Sequence, residues 1–448
     1  METLASWIWN PLLSFLYLEI ALLVLVLTGF VAWRRLVPAL RHWWSQRTPD
    51  AAQAGTQAPV QHISQGKALL TALGAAVGVG NLAGVSTALH LGGPGALFWL
   101  WLSALMGMSL RMSSTWLAIR YQSSDPAHRA YATPMAYLEH FFTGRWRWIP
   151  ITMAALLLVQ GFLTANLIQS NSVAHAIDGE IGASHFLVAT LMALAVGGVI
   201  MGGLQKIVTV SLYLTPVMLF AYVAAGLFIL LSHPLRTLEM IELVFTHAFS
   251  PTPIIGGVAG YTVLQAVQFG TARGIFSHGS GLGLAPFIQA ANSGDIRHNA
   301  FLAALIPVLD TLVICTITGL VVLSAGHWSE WNGAYLTVHS FQASYGENGR
   351  IFIIICLTFF AFSTMIGWSH YAERCFHYLG GVNTLRFRWV FVITTFYGPF
   401  FPVKLVWSLA DVLIGMTLLL HGLSLLYLVI KHQEQMRQSL DGDYSRGS

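Results

Sequence analysis

Charged residues are scarce in this 448-residue chain. Asp, Glu, Lys and Arg together make up 9% of it, whereas ordinary soluble domains carry roughly 25%. Hydrophobic residue types make up 55%, and the mean hydropathy is +0.65. So little charge cannot build a water-soluble surface, and a lipid bilayer must therefore solvate much of the exterior. The net charge of +4 is too small and too scattered to indicate a nucleic-acid partner.

Cysteine is rare as well, and the histidines are dispersed. The three cysteines have no C-x-x-C spacing, which excludes the usual pattern of a metal knuckle or a disulfide framework. The closest of the 17 histidines are His370 and His377, whereas helical zinc and di-iron sites use residues three or four positions apart. The pattern disfavours a membrane metalloenzyme, and we expect neither enzymatic activity nor a prosthetic cofactor.

Long apolar runs, by contrast, recur along the whole chain. A transmembrane helix needs roughly 20 consecutive apolar residues. Runs of this kind predict an all-α integral membrane protein with about eleven transmembrane helices. The predicted spans are 12–33, 66–90, 95–119, 148–176, 186–204, 207–232, 252–272, 299–324, 351–371, 387–402 and 406–430.

Basic residues accumulate on one side of these predicted spans, after the first, third and ninth. Cytoplasmic loops carry the excess of Lys and Arg, so the pattern predicts an N-terminus outside the cell or inner membrane and a cytoplasmic C-terminus. We expect a peripheral helix with a basic cytoplasmic segment (1–47), a polar linker (48–65), a ten-helix core (66–430) and a disordered tail (431–448). The basic residues are Arg34, Arg35, Arg41, Arg47, Arg120, Arg129, Arg145, Arg147, Arg374, Arg386 and Arg388.

Glycine clusters interrupt two of the predicted spans. The second span has Gly74, Gly78 and Gly80 followed by Asn81. The seventh span has Gly256, Gly257, Gly260 and Gly270. An unwound helix in lipid is tolerated only where protein or a water-filled cavity covers it. Such a break offers free amides to a carboxylate and free carbonyls to a cation. Close helix packing through small residues is the competing explanation for these glycines.

The position of the breaks also predicts the architecture. If the first helix is peripheral, the remaining ten divide into two fives, 66–232 and 252–430, and a broken span begins each five. Inverted repeats of this kind are typical of secondary transporters, which work by alternating access. A channel would show a repeated pore-lining polar ring or a filter loop, and no such pattern is visible in the sequence.

Several motifs, in order along the chain, resemble the alanine or glycine:cation symporter family. The resemblance implies a LeuT-type core of two inverted five-helix repeats and symport of a small neutral amino acid with a cation. LDT at 309–311 with Cys315 and Thr316 supports the match. The main motifs are GNLAGV at 80–85, LGGPGA at 91–96, QSNS at 169–172, RGIFS at 273–277, GLG at 281–283, and FAFST at 360–364 followed by Gly367 and Trp368.

The resemblance implies roles for individual residues. The substrate carboxylate would lie on the unwound amides near the first break, with Gln169 as a hydrogen-bonding partner. Phe269, Gly270 and Trp368 would bound a pocket sized for a methyl group or a hydrogen. Sodium would be held by oxygen ligands, which suit a hard cation. The implied substrate-binding residues are Gly78, Gly80, Asn81, Gln169, Phe269, Gly270, Thr364 and Trp368, and the implied sodium ligands are Gly74, Val77, Ser363 and Thr364.

Two polar residues inside the spans carry a separate expectation. Asp310 lies well within the predicted span 299–324, and intramembrane acids usually pair or serve an ion path. A structural or gating hydrogen bond and a role in ion coupling both remain open for it. Arg273, at the end of the second broken span, is a second gating candidate.

The chain also departs from the family pattern at two positions where acids are usual. Ser114 replaces one, and Gly279 replaces the other, beside His278 where the family has asparagine. A loop histidine without a role and a proton-sensitive one are both possible for His278. These departures leave open a proton as the coupling ion and an altered substrate such as a D-amino acid.

Overall fold

In the computed structural model of this protein, residues 9–45, 64–123, 125, 127–250, 262–292 and 295–441 are described. All regular elements in these ranges are helices. They are α1 (Pro11–Leu27), α2 (Val31–Arg34), α3 (Leu36–Ser45), α4 (Gln65–Ala76), α5 (Val85–Gly92), α6 (Ala96–Tyr121), α7 (Met135–Phe141), α8 (Trp148–Phe162), α9 (Ile168–Ile181), α10 (His185–Ile200), α11 (Gly203–Ser232), α12 (Pro234–Phe249), α13 (Val263–His278), α14 (Pro286–Gln289), α15 (Ile296–Pro307), α16 (Thr316–Ala325), α17 (Gly333–Tyr378), α18 (Thr384–Tyr397) and α19 (Val403–Asp441).

The long apolar helices confirm the all-α membrane architecture. Within the described ranges, six continuous helical segments are long and apolar enough to cross a bilayer, or seven if one bent pair counts as a single span. Helices α1 and α10 are apolar but shorter. The number of eleven spans therefore stays a prediction.

The first broken span is where the glycine cluster predicted it. Helix α4 ends at Ala76, and the next helical segment, Gly80–Gly92, is bent from it by 55°. Val77 closes α4 in an extended conformation, with ψ of 107°. Three residues, 77–79, thus connect two half-helices and leave their backbone groups to other partners.

The second break predicted at Phe269 and Gly270 is absent, and the chain leaves helical structure after α13 instead, between Gly279 and α14, a segment called the second break below. Helix α13 runs without interruption through Phe269 and Gly270 to His278, so the break expected at those two residues is wrong. The helix ends at Gly279, whose φ of +62° is the left-handed conformation that glycine adopts at helix ends. The expected glycines at 256, 257 and 260 lie outside the described residues.

Three π-helical segments interrupt the core helices, and nothing in the sequence predicted them. They span Gly80–Gly84, Leu163–Leu167 and Val308–Cys315. A π-helical turn holds more residues than an α-helical turn and is frequent at functional sites. The side chains that follow each segment are therefore rotated about the helix axis relative to those that precede it.

Several predicted boundaries need correction. The first span ends at Leu27 rather than 33, because Gly29 and Phe30 have positive φ. Of the expected linker 48–65, residues 64 and 65 already belong to the start of α4, and 48–63 lie outside the described residues. The expected disordered tail is helical as far as Asp441, which pairs with Arg34 and Arg35.

Helices outside the predicted spans account for the other differences. The amphipathic α12 was not predicted, and neither was the first half of α17, before the kink at Gly346 (φ 61°, ψ −145°). Both contain too many polar residues for a span search based on long apolar runs. The broken helix itself is central, because α4 packs against both α11 and α17.

Candidate functional site

The carbonyl side of the first break faces α17. The Val77 carbonyl accepts a 3.0 Å hydrogen bond from the Thr364 hydroxyl and a 3.4 Å bond from the Ser363 hydroxyl. The Gly78 amide donates to the Asn81 side chain at 2.9 Å and not to the Gly74 carbonyl, four residues back. The break therefore brings the Val77 carbonyl to a pair of hydroxyls and leaves the Gly74 carbonyl without a hydrogen bond from the Gly78 amide.

The amide side of the same break faces α9. The Val79 amide donates to Gln169 Oε1 at 3.0 Å. A carboxylate-bearing ligand at this amide would compete with the Gln169 oxygen for the same hydrogen. The two half-helices thus present acceptors on one side and a donor on the other within three residues of backbone.

A cavity adjoins the break. It contains about 570 Å³ of empty space, including the open solvent at its mouth. Five of the residues implied by the family resemblance line it: Gly78, Gly80, Gln169, Thr364 and Trp368. Other lining residues come from α6, α8, the π-helical segment after α8, the end of α13, the second break and α17. They include Arg111, Gln160, Thr164, Phe276, Ser277, His278, Gly279 and Tyr371.

Glycine is sterically required at two positions of the break. A Cβ on Gly78 would overlap the Thr364 hydroxyl and lie 3.0 Å from Gln169 Oε1. A Cβ on Gly80 would lie 2.7 Å from the Phe276 ring. The glycines therefore allow α17, α9 and α13 to approach the unwound backbone closely.

Phe269 and Gly270 lie away from this cavity, so the expected pocket wall is not formed by them. A Cβ on Gly270 would overlap the Ala96 carbonyl, which shows that this glycine serves the contact between α13 and α6. The aromatic residue of α13 that lines the cavity is Phe276, seven positions later. Its place in the RGIFS motif was the available sequence signal.

An ion pair lies behind Phe276, on the side of its ring that Trp407 covers. The Arg273 guanidinium binds the Asp411 carboxylate with both terminal nitrogens, at 2.9 and 2.8 Å, and both side chains are largely buried. Trp407 lies under the guanidinium at 5.0 Å and stacks on Phe276 at a centroid distance of 5.0 Å. Asp411 was missed in the sequence because it lies close to the start of its predicted span.

Asp310 connects the two breaks. Its carboxylate accepts hydrogen bonds from Asn81 at 2.8 Å, Ser277 at 2.7 Å and Thr311 at 2.9 Å. The side chain is fully buried. Asn81 in turn accepts from the Gly78 amide, so a continuous chain of hydrogen bonds links the first break, the π-helical segment and the end of α13.

The expected sodium ligands are also close together. Gly74 and Val77 belong to α4 and its end, and a Cβ on Gly74 would lie 3.8 Å from Ser363 Cβ. Their carbonyls and the Ser363 and Thr364 hydroxyls are neutral oxygen donors, which suit a hard monovalent cation. Among the described residues, no group of three His, Cys, Asp or Glu could hold a metal ion.

Neutral residues, Ser114 and Gly279, occupy the two positions at which the family resemblance implies acids. Ser114 Oγ lies 2.9 Å from the Tyr137 hydroxyl, which lies 2.6 Å from His421 Nε2. A Cβ on Gly279 would lie 2.7 Å from Leu284, so the tight turn leaves little room for a larger side chain. His278 is buried, and its carbonyl accepts from Arg111 at 2.8 Å.

Two further polar residues line the cavity from α8 and the π-helical segment after it. Gln160 and Thr164 are buried, and neither Gln160 Oε1 nor Thr164 Oγ1 has a hydrogen-bond partner among the described residues. The π-helical segment Leu163–Leu167 lets both face the same cavity as Gln169. A polar pair spaced i, i+4 in an apolar span was the sequence signal for them.

Two relatives with high coverage are named as transporters of amino acids. The chain is 34% identical over 424 residues to the sodium/alanine symporter AgcS of Methanococcus maripaludis, covering 93% of this chain and 91% of that protein. It is 29% identical over 391 residues to the amino-acid carrier protein AlsT of Bacillus subtilis, covering 85% and 82%.

Two solved structures share the fold at low sequence identity. One is MhsT in complex with L-phenylalanine, with a TM-score of 0.59, 15% identity and coverage of 86% of this chain and 100% of that one. The other is a mutant of the manganese transporter of Eremococcus coleocola, with a TM-score of 0.52, 12% identity and coverage of 85% and 81%. This likeness shows the LeuT-type fold alone.

The profile that describes the sodium:alanine symporter family matches residues 1–444, nearly the whole chain. The protein is therefore a multi-pass membrane transporter and not an enzyme, and it belongs to the sodium:alanine symporter family.

Proposed function

We propose that this protein carries a small neutral amino acid, alanine or glycine, in symport with sodium by alternating access. The observation that carries the proposal is the break at 77–79. Its carbonyl side meets the Ser363 and Thr364 hydroxyls, and its amide side meets Gln169. A zwitterion and a cation need those two kinds of partner next to each other.

The substrate carboxylate binds at the amides near Gly78 and Gly80 in this proposal. Gln169 Oε1 gives up the Val79 amide to the carboxylate, and the Gln169 amide group then donates to it. Phe276 and Trp368 line the same cavity and limit the space for the substrate side chain. Steric exclusion by two large rings supports a substrate with a small side chain.

Sodium binds between α4 and α17, at the Gly74 and Val77 carbonyls and the Ser363 and Thr364 hydroxyls. Without the ion, the two hydroxyls donate to the Val77 carbonyl. On binding, the hydroxyls turn their lone pairs toward the cation. The ion thereby joins the broken helix to α17, which couples its binding to the shape of the amide side three residues away.

The Arg273–Asp411 pair acts as a gate. It lies with Trp407 and Phe276 over one side of the cavity, and Gly80 contacts the Phe276 ring. Opening on this side must separate a largely buried bidentate ion pair. We expect this side to face the exterior, because the arginine bias predicts a protein of the cell or inner membrane with its N-terminus outside and its C-terminus in the cytoplasm.

The same reasoning supports the proposed organisation of the chain. Residues 1–47 form a peripheral helix and a basic cytoplasmic segment, and 66–232 and 252–430 form the two repeats. The Tyr17 hydroxyl donates to the Ser103 carbonyl, and Trp9 Nε1 donates to the Asp411 carbonyl. The peripheral helix α1 is thus anchored to α6 and to the gate.

A second candidate substrate is a small amino acid with a polar side chain. Gln160 Oε1 and Thr164 Oγ1 are buried at the cavity and have no hydrogen-bond partner in the part of the chain that the structure describes, and unpaired buried polar groups are costly. A side-chain hydroxyl or amide would satisfy them. One relative, 27% identical over 431 residues, is the probable sodium/glutamine symporter GlnT of Bacillus subtilis.

Uptake of radiolabelled L-alanine into proteoliposomes tests the proposal. Initial rates are measured with sodium, lithium or an imposed pH gradient, and unlabelled glycine, D-alanine, serine and glutamine serve as competitors. We expect sodium-dependent uptake that glycine inhibits. Uptake driven only by the pH gradient would replace sodium with a proton, and stronger inhibition by serine or glutamine would favour the polar substrate.

A further inference from the structure

Thr215 is a buried residue near the middle of α11 to which the proposed function gives no role. Its side chain is fully buried. The hydroxyl oxygen has no hydrogen-bond partner in the described part of the chain. Leaving a buried hydroxyl unpaired is costly, so the position calls for a ligand or a functional reason.

A helical threonine has an inexpensive local partner available. Threonine hydroxyls in helices commonly donate to the carbonyl four residues earlier. Thr209, Thr318 and Thr358 do so, at 2.8, 3.0 and 2.8 Å. Thr215 does not make this bond, and its hydroxyl points away from its own helix toward the broken helix instead.

The hydroxyl faces the proposed sodium site. A Cβ on Gly74 would lie 2.5 Å from Thr215 Oγ1 and 3.8 Å from Ser363 Cβ. Gly74 therefore lies between the unpaired hydroxyl of α11 and the serine of α17. The Gly74 carbonyl is also not the acceptor of the Gly78 amide, because that amide binds Asn81.

We propose that Thr215 Oγ1 is a further ligand of the coupling sodium ion, in addition to oxygens of α4 and α17. This inference rests on the proposed sodium coupling. The hydroxyl is a neutral hard donor of the kind that sodium accepts. With it the ion joins three helices, α4, α11 and α17, and its loss on one side of the membrane frees the first half-helix from both neighbours.

Thr215→Val tests the inference, because valine has a methyl group of similar size in place of the threonine hydroxyl. The purified variant is reconstituted, and the sodium concentration at half-maximal alanine uptake is measured. We expect it to rise roughly tenfold, as for the loss of one hydrogen bond to a charged group. Thr215→Ser keeps the oxygen, so its half-saturating sodium concentration should rise far less than that of Thr215→Val.

Thr209→Val is the matched control on the same helix. Its hydroxyl donates to the Gln205 carbonyl and the residue is exposed, so its sodium dependence should not change. A second readout is the thermal midpoint of the detergent-purified protein with and without sodium. Thr215→Val removes an unpaired hydroxyl, so it should leave the sodium-free midpoint unchanged or higher and should reduce the rise that sodium causes.

The outcomes separate the inference from the function on which it rests. Sodium-dependent uptake in the unmodified protein together with an unchanged half-saturating concentration in Thr215→Val would overturn the inference alone. Equal loss of sodium affinity in Thr209→Val would overturn it too, since the effect would then not be specific to the site. Absence of any sodium effect in the unmodified protein would overturn both.

Discussion

The Thr364 hydroxyl donates a 3.0 Å hydrogen bond to the Val77 carbonyl, although the two residues are 287 positions apart in the chain. The acceptor is the first carbonyl of the break, and the donor lies in the part of α17 that follows the kink at Gly346. One hydrogen bond therefore joins the two elements that the proposal assigns to sodium. Substitutions on either side of this bond should change how uptake responds to the ion.

Thr364→Val should weaken the sodium dependence of uptake. The substitution keeps the shape of the side chain and removes the proposed ligand, so the half-saturating sodium concentration should rise roughly tenfold. Thr358→Val is the control, because its hydroxyl donates to Ile354 in the same helix. An unaltered sodium affinity in Thr364→Val would remove this residue from the proposed site.

Gly78→Ala should slow alanine uptake at least about fivefold, because overpacking of a tight site typically costs about 1–3 kcal/mol. The added methyl group would overlap the Thr364 hydroxyl and press on Gln169. Gly84→Ala is the control from the same span, since a Cβ there meets nothing within 4 Å. Equal rates in the two variants would show that the close approach at Gly78 has no functional weight.

Asp310→Asn should lower the thermal midpoint and leave the number of sodium ions per alanine unchanged. Three protein groups already satisfy the carboxylate, and losing a charged acceptor for three donors costs about 1.5–3 kcal/mol. Asp178→Asn, at a partly exposed carboxylate, is the control. A changed stoichiometry, measured as the ratio of labelled sodium to labelled alanine, would instead assign Asp310 to ion coupling.

Arg273→Gln and Asp411→Asn should each lower the thermal stability of the protein, and the two losses should not add up in the double variant. Removing one partner of a buried pair leaves the other charge uncompensated, at a cost of about 3–5 kcal/mol. The double variant removes both charges, so its loss of thermal stability should be smaller than the sum of the two single losses. Strictly additive losses would argue that the pair is not coupled and does not act as a gate.

The first break could be predicted from the sequence because its glycines and Asn81 cluster within one apolar run. The second could not, because the sequence does not distinguish a glycine that unwinds a helix from one that packs it. Gly270 packs against the Ala96 carbonyl, whereas Gly279 ends the helix with a positive φ. Both roles require the absence of a Cβ, and only the neighbouring helix tells them apart.

The π-helical segments limited the prediction of the cavity in a similar way. Gln160, Thr164 and Gln169 line one cavity only because Leu163–Leu167 changes the helical register between them. A reading with constant 3.6-residue periodicity places Gln169 on a different face from the other two. The family motifs identified Gln169, and the structure was needed to find its neighbours.

The most direct test of sodium-coupled symport is accumulation against a gradient. Proteoliposomes are prepared with equal alanine concentrations inside and outside, and sodium is then added outside only. The account predicts a transient rise of internal alanine above the external concentration, which collapses when an ionophore dissipates the sodium gradient. Internal alanine that never exceeds the external concentration, while labelled alanine still exchanges, would contradict it.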